Sequence, residues 1–127
     1  MAYVTQEFKA KVAPAVKALC KQYSVSGSLS VRNHSTLACT LSKGSIDFIS
    51  NFNDCNPEYP RTTEIDVNVY HYRRQFAGRA LEFLTKLEAL LKGPDYYDRS
   101  DSQTDYFDTS HYIAINVGRW DKPYQVI

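Results

Sequence analysis

The residues best equipped for chemistry lie in the last third of the chain. Asp95, Asp98, Asp101, Asp105 and Asp108 recur every three or four positions, with Tyr96, Tyr97, Tyr106 and Phe107 between them. A run Gly118-Arg119-Trp120-Asp121-Lys122-Pro123-Tyr124 follows. Oxygen-rich loops hold calcium when ligands alternate around a central glycine and a closing glutamate. Residues 95–108 contain neither a glycine nor a glutamate. Their aspartates therefore read as turn formers and caps, or as contacts for a partner with a basic face. Tyr96, Tyr97 and Phe107 in so polar a loop read as a contact surface, because Tyr, Trp and Arg dominate binding hot spots. With Asp98, Asp101, Asp105, Tyr106 and Trp120 they form the candidate partner-binding set. Trp120 also reads as closing one end of the core, with Pro123 setting the exit of the chain. The remaining tyrosines read mainly as amphipathic packing at a sheet edge.

A second group is Arg73, Arg74 and Arg79, beside Tyr70, His71 and Tyr72. Guanidinium groups grip phosphate or carboxylate through paired hydrogen bonds. Interleaved aromatics add stacking, which suits single-stranded nucleic acid. The plainer reading pairs these arginines with the aspartates of the following loop.

A catalytic reading finds little support. His34, His71 and His111 stand in no triad or metal spacing. Ser110 and His111 are neighbours in an expected strand, so their side chains should point to opposite faces. The five glycines form no phosphate-binding loop. Cys20, Cys39 and Cys55 are too few and too scattered for a disulfide framework or a zinc site. Cys20 and Cys39 fall on apolar faces and read as core residues, whereas Cys55 reads as exposed. The expectation is a non-enzyme with no cofactor and no metal, in a reducing cytoplasm.

The elements that must position these groups follow from composition and periodicity. The chain has 127 residues, is 43% hydrophobic and carries a formal charge of +1. That is one domain with enough apolar surface for a core. So even a charge favours neither a nucleic-acid binder nor an acidic mimic of one. No apolar run reaches membrane length, and the first residues lack the order of a secretory signal.

Residues 5–23 carry an apolar stripe, Phe8, Val12, Val16, Leu19 and Tyr23, with Thr5 as cap. Pro14 should kink or interrupt that helix. Lys9, Lys11, Lys17 and Lys21 lie mostly off the stripe and read as a solvated face. Gly27 to Leu41 alternates as a β-hairpin around Asn33-His34-Ser35. Residues 46–53 read as a short helix capped by Ser45, with a strand as the alternative. Glu64 to Tyr70 reads as a strand, 73–92 as a long helix stopped by Gly93-Pro94, and His111 to Arg119 as a last strand. The fold class is α+β: a single domain over 1–127, approximately α-β-β-α-β-α-β, with a small mixed or antiparallel sheet packed by helices.

Two stretches resemble the large polyvalent protein-associated domains of phages and other mobile elements. One is Pro14-Ala15-Val16-Lys17-Ala18-Leu19, Ser28-Leu29-Ser30-Val31-Arg32 and Lys43-Gly44-Ser45. The other is Tyr106-Phe107-Asp108 through Tyr112, with Ile115-Asn116-Val117-Gly118-Arg119-Trp120-Asp121-Lys122-Pro123-Tyr124. Where the family has a Gly-Pro-Thr turn, this chain has Gly44-Ser45-Ile46. The resemblance implies a phage or plasmid accessory protein that binds a host component, and it brings no catalytic residues. The leading expectation is a stand-alone protein that binds and inhibits a host protein or defence complex of CRISPR or restriction type in the host cytoplasm. Nucleic-acid binding through the Arg/Tyr group and a structural or assembly role are the alternatives. Monomer and homodimer both remain open.

Overall fold

A computed structural model of the protein describes residues 3–58, 60, 61, 63–69, 71–93, 96, 110–119 and 121–127. The first helix, α1, spans Gln6–Gln22. Thr5 Oγ1 accepts from the Phe8 amide at 2.9 Å, serving one of the orphan donors of the first turn. Val12, Val16, Leu19 and Cys20 are its buried stripe. The helix runs through Pro14 without interruption. Pro14 and Ala10 are both exposed, so water can serve the Ala10 carbonyl that loses its donor.

Strands β1 (Val25–Arg32) and β2 (Thr36–Gly44) pair as the expected hairpin, extended at both ends. Ser35 N donates to Arg32 O at 3.2 Å and closes the turn. Asn33 and His34 sit there at φ +53° and +59°, the left-handed pair that matches strand twist in a tight hairpin. Helix α2 (Phe48–Cys55) follows. Its cap is Asp47, which accepts from Ser50 N at 3.0 Å, and not Ser45. The Ser45 hydroxyl instead donates to Tyr23 O at 2.9 Å.

Strand β3 covers only Ile65–Val67, shorter than the alternation suggests. The long helix expected over 73–92 is two pieces, α3 (Tyr72–Gln75) and α4 (Gly78–Lys92). The break has a visible cause. Asn51 of α2 accepts from Ala77 N at 2.9 Å and donates to Ala77 O at 3.0 Å. That double bond holds Ala77 extended, at φ −143° and ψ 165°. Gly93 ends α4 at φ +76°, as glycine permits. Strands β4 (Tyr112–Val117) and β5 (Gln125–Val126) complete the chain.

The sheet is mixed, in the order β1-β2-β4-β3, with β5 continuing beside β2 beyond the end of β4. β4 is parallel to β2 and antiparallel to β3. Period-two alternation turns Leu37, Cys39, Leu41, Ile65, Val67, Ile115 and Val117 inward, where all are buried. They join Phe83, Leu84, Leu87 and Leu91 of α4 and the stripe of α1 in one core. Phe48 sits at its aromatic centre, with ring centroids 5.5 Å from Tyr124 and 5.8 Å from Phe83. All four helices contribute to this single core on one side of the sheet, and among the described residues none packs on the other.

Candidate functional site

The bare face is built by the other half of the same alternation. Register aligns Ser28 with Thr40, Thr40 with Asn116 and Asn116 with Asp66. A polar row therefore crosses four strands. The next row is small: Ser30, Ala38 and Ala114. The third row is Arg32, Thr36 and Tyr112.

Over the polar row lies an open trough of about 970 Å³. Ser28, Ser30, Thr40 and Asn116 lie on its floor, and Arg32, Lys43, Arg119 and Lys122 bring cations to its walls. Glu64 and Asp121 are the carboxylates that line it. One wall is the turn after β4, where Arg119 N donates to Lys122 O at 2.9 Å and Lys122 N returns to Arg119 O at 3.1 Å. Gly118 makes that turn possible. It sits at φ +72°, and a Cβ there would lie 2.6 Å from Thr63 O. Arg119 Nε and Asp121 Oδ1 are 4.0 Å apart and both exposed, so their pairing adds little. Asn116 Nδ2 is buried and has no acceptor. A buried donor left unpaired costs about 1–3 kcal/mol.

The far end of the same face is aromatic. Tyr112 is 41% exposed and Tyr3 is 60% exposed. Tyr3 N donates to Ser110 O at 3.0 Å, Val4 N to His34 O at 2.7 Å and Tyr112 N to Ser35 O at 2.8 Å. These bonds lace the N-terminal segment, the hairpin tip and the start of β4 together. Behind them His111 is buried, with Nε2 donating to Leu91 O at 2.8 Å. Its ring packs between Phe8 and Tyr96, at centroid distances of 5.1 and 5.4 Å.

Of the expected partner-binding set, Tyr96 is described. It is half-buried against His111, with Lys92 Nζ 5.0 Å from its ring centroid. Tyr97, Asp98, Asp101, Asp105, Tyr106, Phe107 and Trp120 lie outside the described residues, as does Tyr70. The arginine group is not drawn to one point. Arg73 lies over the Tyr72 ring at 5.2 Å and 3.8 Å from Glu88, whereas Arg79 lies over the Tyr23 ring at 5.0 Å. Arg74 is exposed. Tyr72 cannot stack a base, because its ring is fully buried. The tyrosine completes the core instead, and burial pushes its phenol upward.

Sequence reasoning passed over Glu88, which is buried on α4. It pairs with Lys92 at 3.1 Å, while its Oε2 has no partner. The signal was present: Glu88 stands four residues after Leu84 and three before Leu91, on the apolar stripe itself. Ser110 and His111 also differ from expectation. Both precede β4, so strand alternation does not separate them, and Ser110 Oγ lies 3.5 Å from His111 Nδ1. That distance is long for a hydrogen bond.

Cys20 and Cys39 are buried and Cys55 exposed, as the pattern suggests. Burial pushes the Cys39 thiol up to about 12, which suppresses thiolate chemistry there. On the helix side, Tyr23 donates to Glu82 at 2.6 Å and accepts from Lys86 at 2.8 Å. The Tyr23 hydrogen bond, then the Lys86 ammonium, holds the Glu82 carboxyl below its ordinary range. Among the described residues no three His, Cys, Asp or Glu side chains gather for a metal. No helix among them is long and apolar enough to cross a membrane.

No protein-family model, curated protein or solved structure matches this chain.

Proposed function

We propose that this protein is a stoichiometric inhibitor of a host defence complex, produced by a phage or other mobile element, and that it acts by binding. The binding part rests on one observation. Tyr3 and Tyr112 stand exposed on a backbone laced at three points, at the place where the Tyr/Asp-rich segment 95–108 rejoins the fold at Ser110. Exposed tyrosines on a rigid base give large contact area at low entropic cost. The stretch 95–108 carries Tyr97, Phe107 and several carboxylates in sequence shortly before Tyr112. That chemistry fits a protein partner with a basic, aromatic-accepting surface. The mobile-element context rests on the sequence resemblance alone.

The test is affinity capture of the tagged protein from host lysate, with and without nuclease, read by mass spectrometry. A nuclease-resistant defence component in stoichiometric amount is expected. Titration of that component with Tyr112→Ala or Phe107→Ala should then cost about 2 kcal/mol or more. Capture of no defence component ends the inhibitor reading. Unchanged affinity in both variants moves the interface away from this end of the sheet.

A further inference from the structure

We infer that the trough on the bare sheet face is a second binding site, and that it takes the backbone of a single-stranded nucleic acid. This site is separate from the Arg73, Arg74 and Arg79 group and meets the aromatic end that carries the proposed function only at Arg32, which shares a row with Tyr112.

Four lining cations face two lining carboxylates, so the trough is electropositive although the whole chain is nearly neutral. The charges are sorted in part. Arg32 and Lys43 lie along the β1–β2 side, while the turn after β4 carries Arg119 and Lys122 together with Asp121. Glu64 and Asp66 lie on the β3 side. Between the two lies a floor of hydroxyls and one amide. Lysine, arginine, serine, threonine and asparagine side chains are the usual ligands of phosphate and sugar oxygens. The carboxylates of the other side can accept from base amino groups or sugar hydroxyls. A polynucleotide offers both halves of that pattern, anionic oxygens along one edge and donors along the other. An acidic peptide offers the first and lacks side-chain donors for the second.

Width selects a single strand. Four strands spaced about 4.8 Å apart make a floor about 14 Å across. That is close to one groove of a duplex, about 12 Å, and too narrow to seat the duplex itself.

The experiment is fluorescence anisotropy of the purified, partner-free protein with labelled 20-mer oligo-dT and oligo-U at several salt concentrations. Binding at low salt with a Kd of about 10⁻⁶ to 10⁻⁴ M is expected, weakening steeply as salt rises. Lys43→Glu with Lys122→Glu should weaken it at least tenfold. The same pair should flatten the salt slope by about 1.4, for two phosphate contacts at roughly 0.7 each. Both lysines are exposed, so the variant should fold, and its melting curve checks that. Lys11→Glu with Lys17→Glu on α1 makes the same change in net charge on the helix side and should leave affinity unchanged. No binding to either oligonucleotide at 50 mM salt overturns the proposal. So does equal loss in both double variants, tighter binding to a duplex, or equally effective competition by poly-glutamate. None of these outcomes touches the protein-partner reading, because no partner is present and Tyr112 is unaltered.

Discussion

Thr40 and Leu41 are neighbours in one central strand, yet they belong to two different regions of the molecule. Leu41 faces the helices and is fully buried, whereas Thr40 faces the trough. The helix side is held by shape: branched aliphatics close-packed with Phe48, Phe52, Phe76 and Phe83. The opposite side presents hydroxyls, an amide and charges, with Ala38, Ala114 and Tyr112 among them. The contrast separates what makes the protein fold from what it can present to a partner.

The largest test breaks that contrast at adjacent positions. Leu41→Ala should cost about 2–5 kcal/mol in denaturant titration, through lost transfer energy and a residual cavity. Thr40→Ala should stay within about 0.5 kcal/mol. Equal costs would mean the bare face is structural. Gly118→Ala comes next, at about 1–3 kcal/mol, since the residue sits at positive φ with Thr63 O in the way. Its melting temperature should fall, and the loss should exceed that of Gly78→Ala, where φ is +61° but nothing lies within 4 Å.

Asn116→Leu should be neutral or raise stability by about 1 kcal/mol, because it removes a buried donor that nothing satisfies. A clear loss of stability would show that the amide is bonded within the protein. The smallest effect is electrostatic. The folded state holds the Glu82 carboxyl low, so its contribution is present at neutral pH and is lost as pH falls through the folded value. Tyr23→Phe removes the leading cause, so its stability should fall less on acidification than that of the wild type.

The helix side was largely legible in the sequence. Val12, Val16, Leu19 and the leucines of α4 keep a helical period, and Ile113, Ile115 and Val117 keep a strand period. What periodicity could not show was tertiary override. Asn51 holds Ala77 extended from another element, and the one local hint of the break is Gly78, which sits at φ +61°. Asp47 wins the cap from Ser45 because Ser45 is engaged with Tyr23, which lies 22 residues away. β5 is two residues long and too short for any pattern.

The bare side was harder to read. Ser28, Thr40 and Asn116 each look like the polar half of an ordinary strand, and only register puts them in one row. Tyr72 was misjudged for the converse reason. Tyrosine suits both surface and core, and its neighbours Arg73 and Arg74 suggested surface.

The position of β4 bears on the order of assembly. This strand sits between β2 and β3, and its first residue, Tyr112, pairs with Thr36. A growing chain can form α1 and the β1–β2 hairpin early, since those contacts are local. The sheet stays split, with β3 unpaired and the inward face of β2 half-covered, until Val117 has been added. Completion of the sheet therefore waits until β4 has left the ribosome. Until then the apolar strands of the hairpin are exposed to other chains and to chaperones.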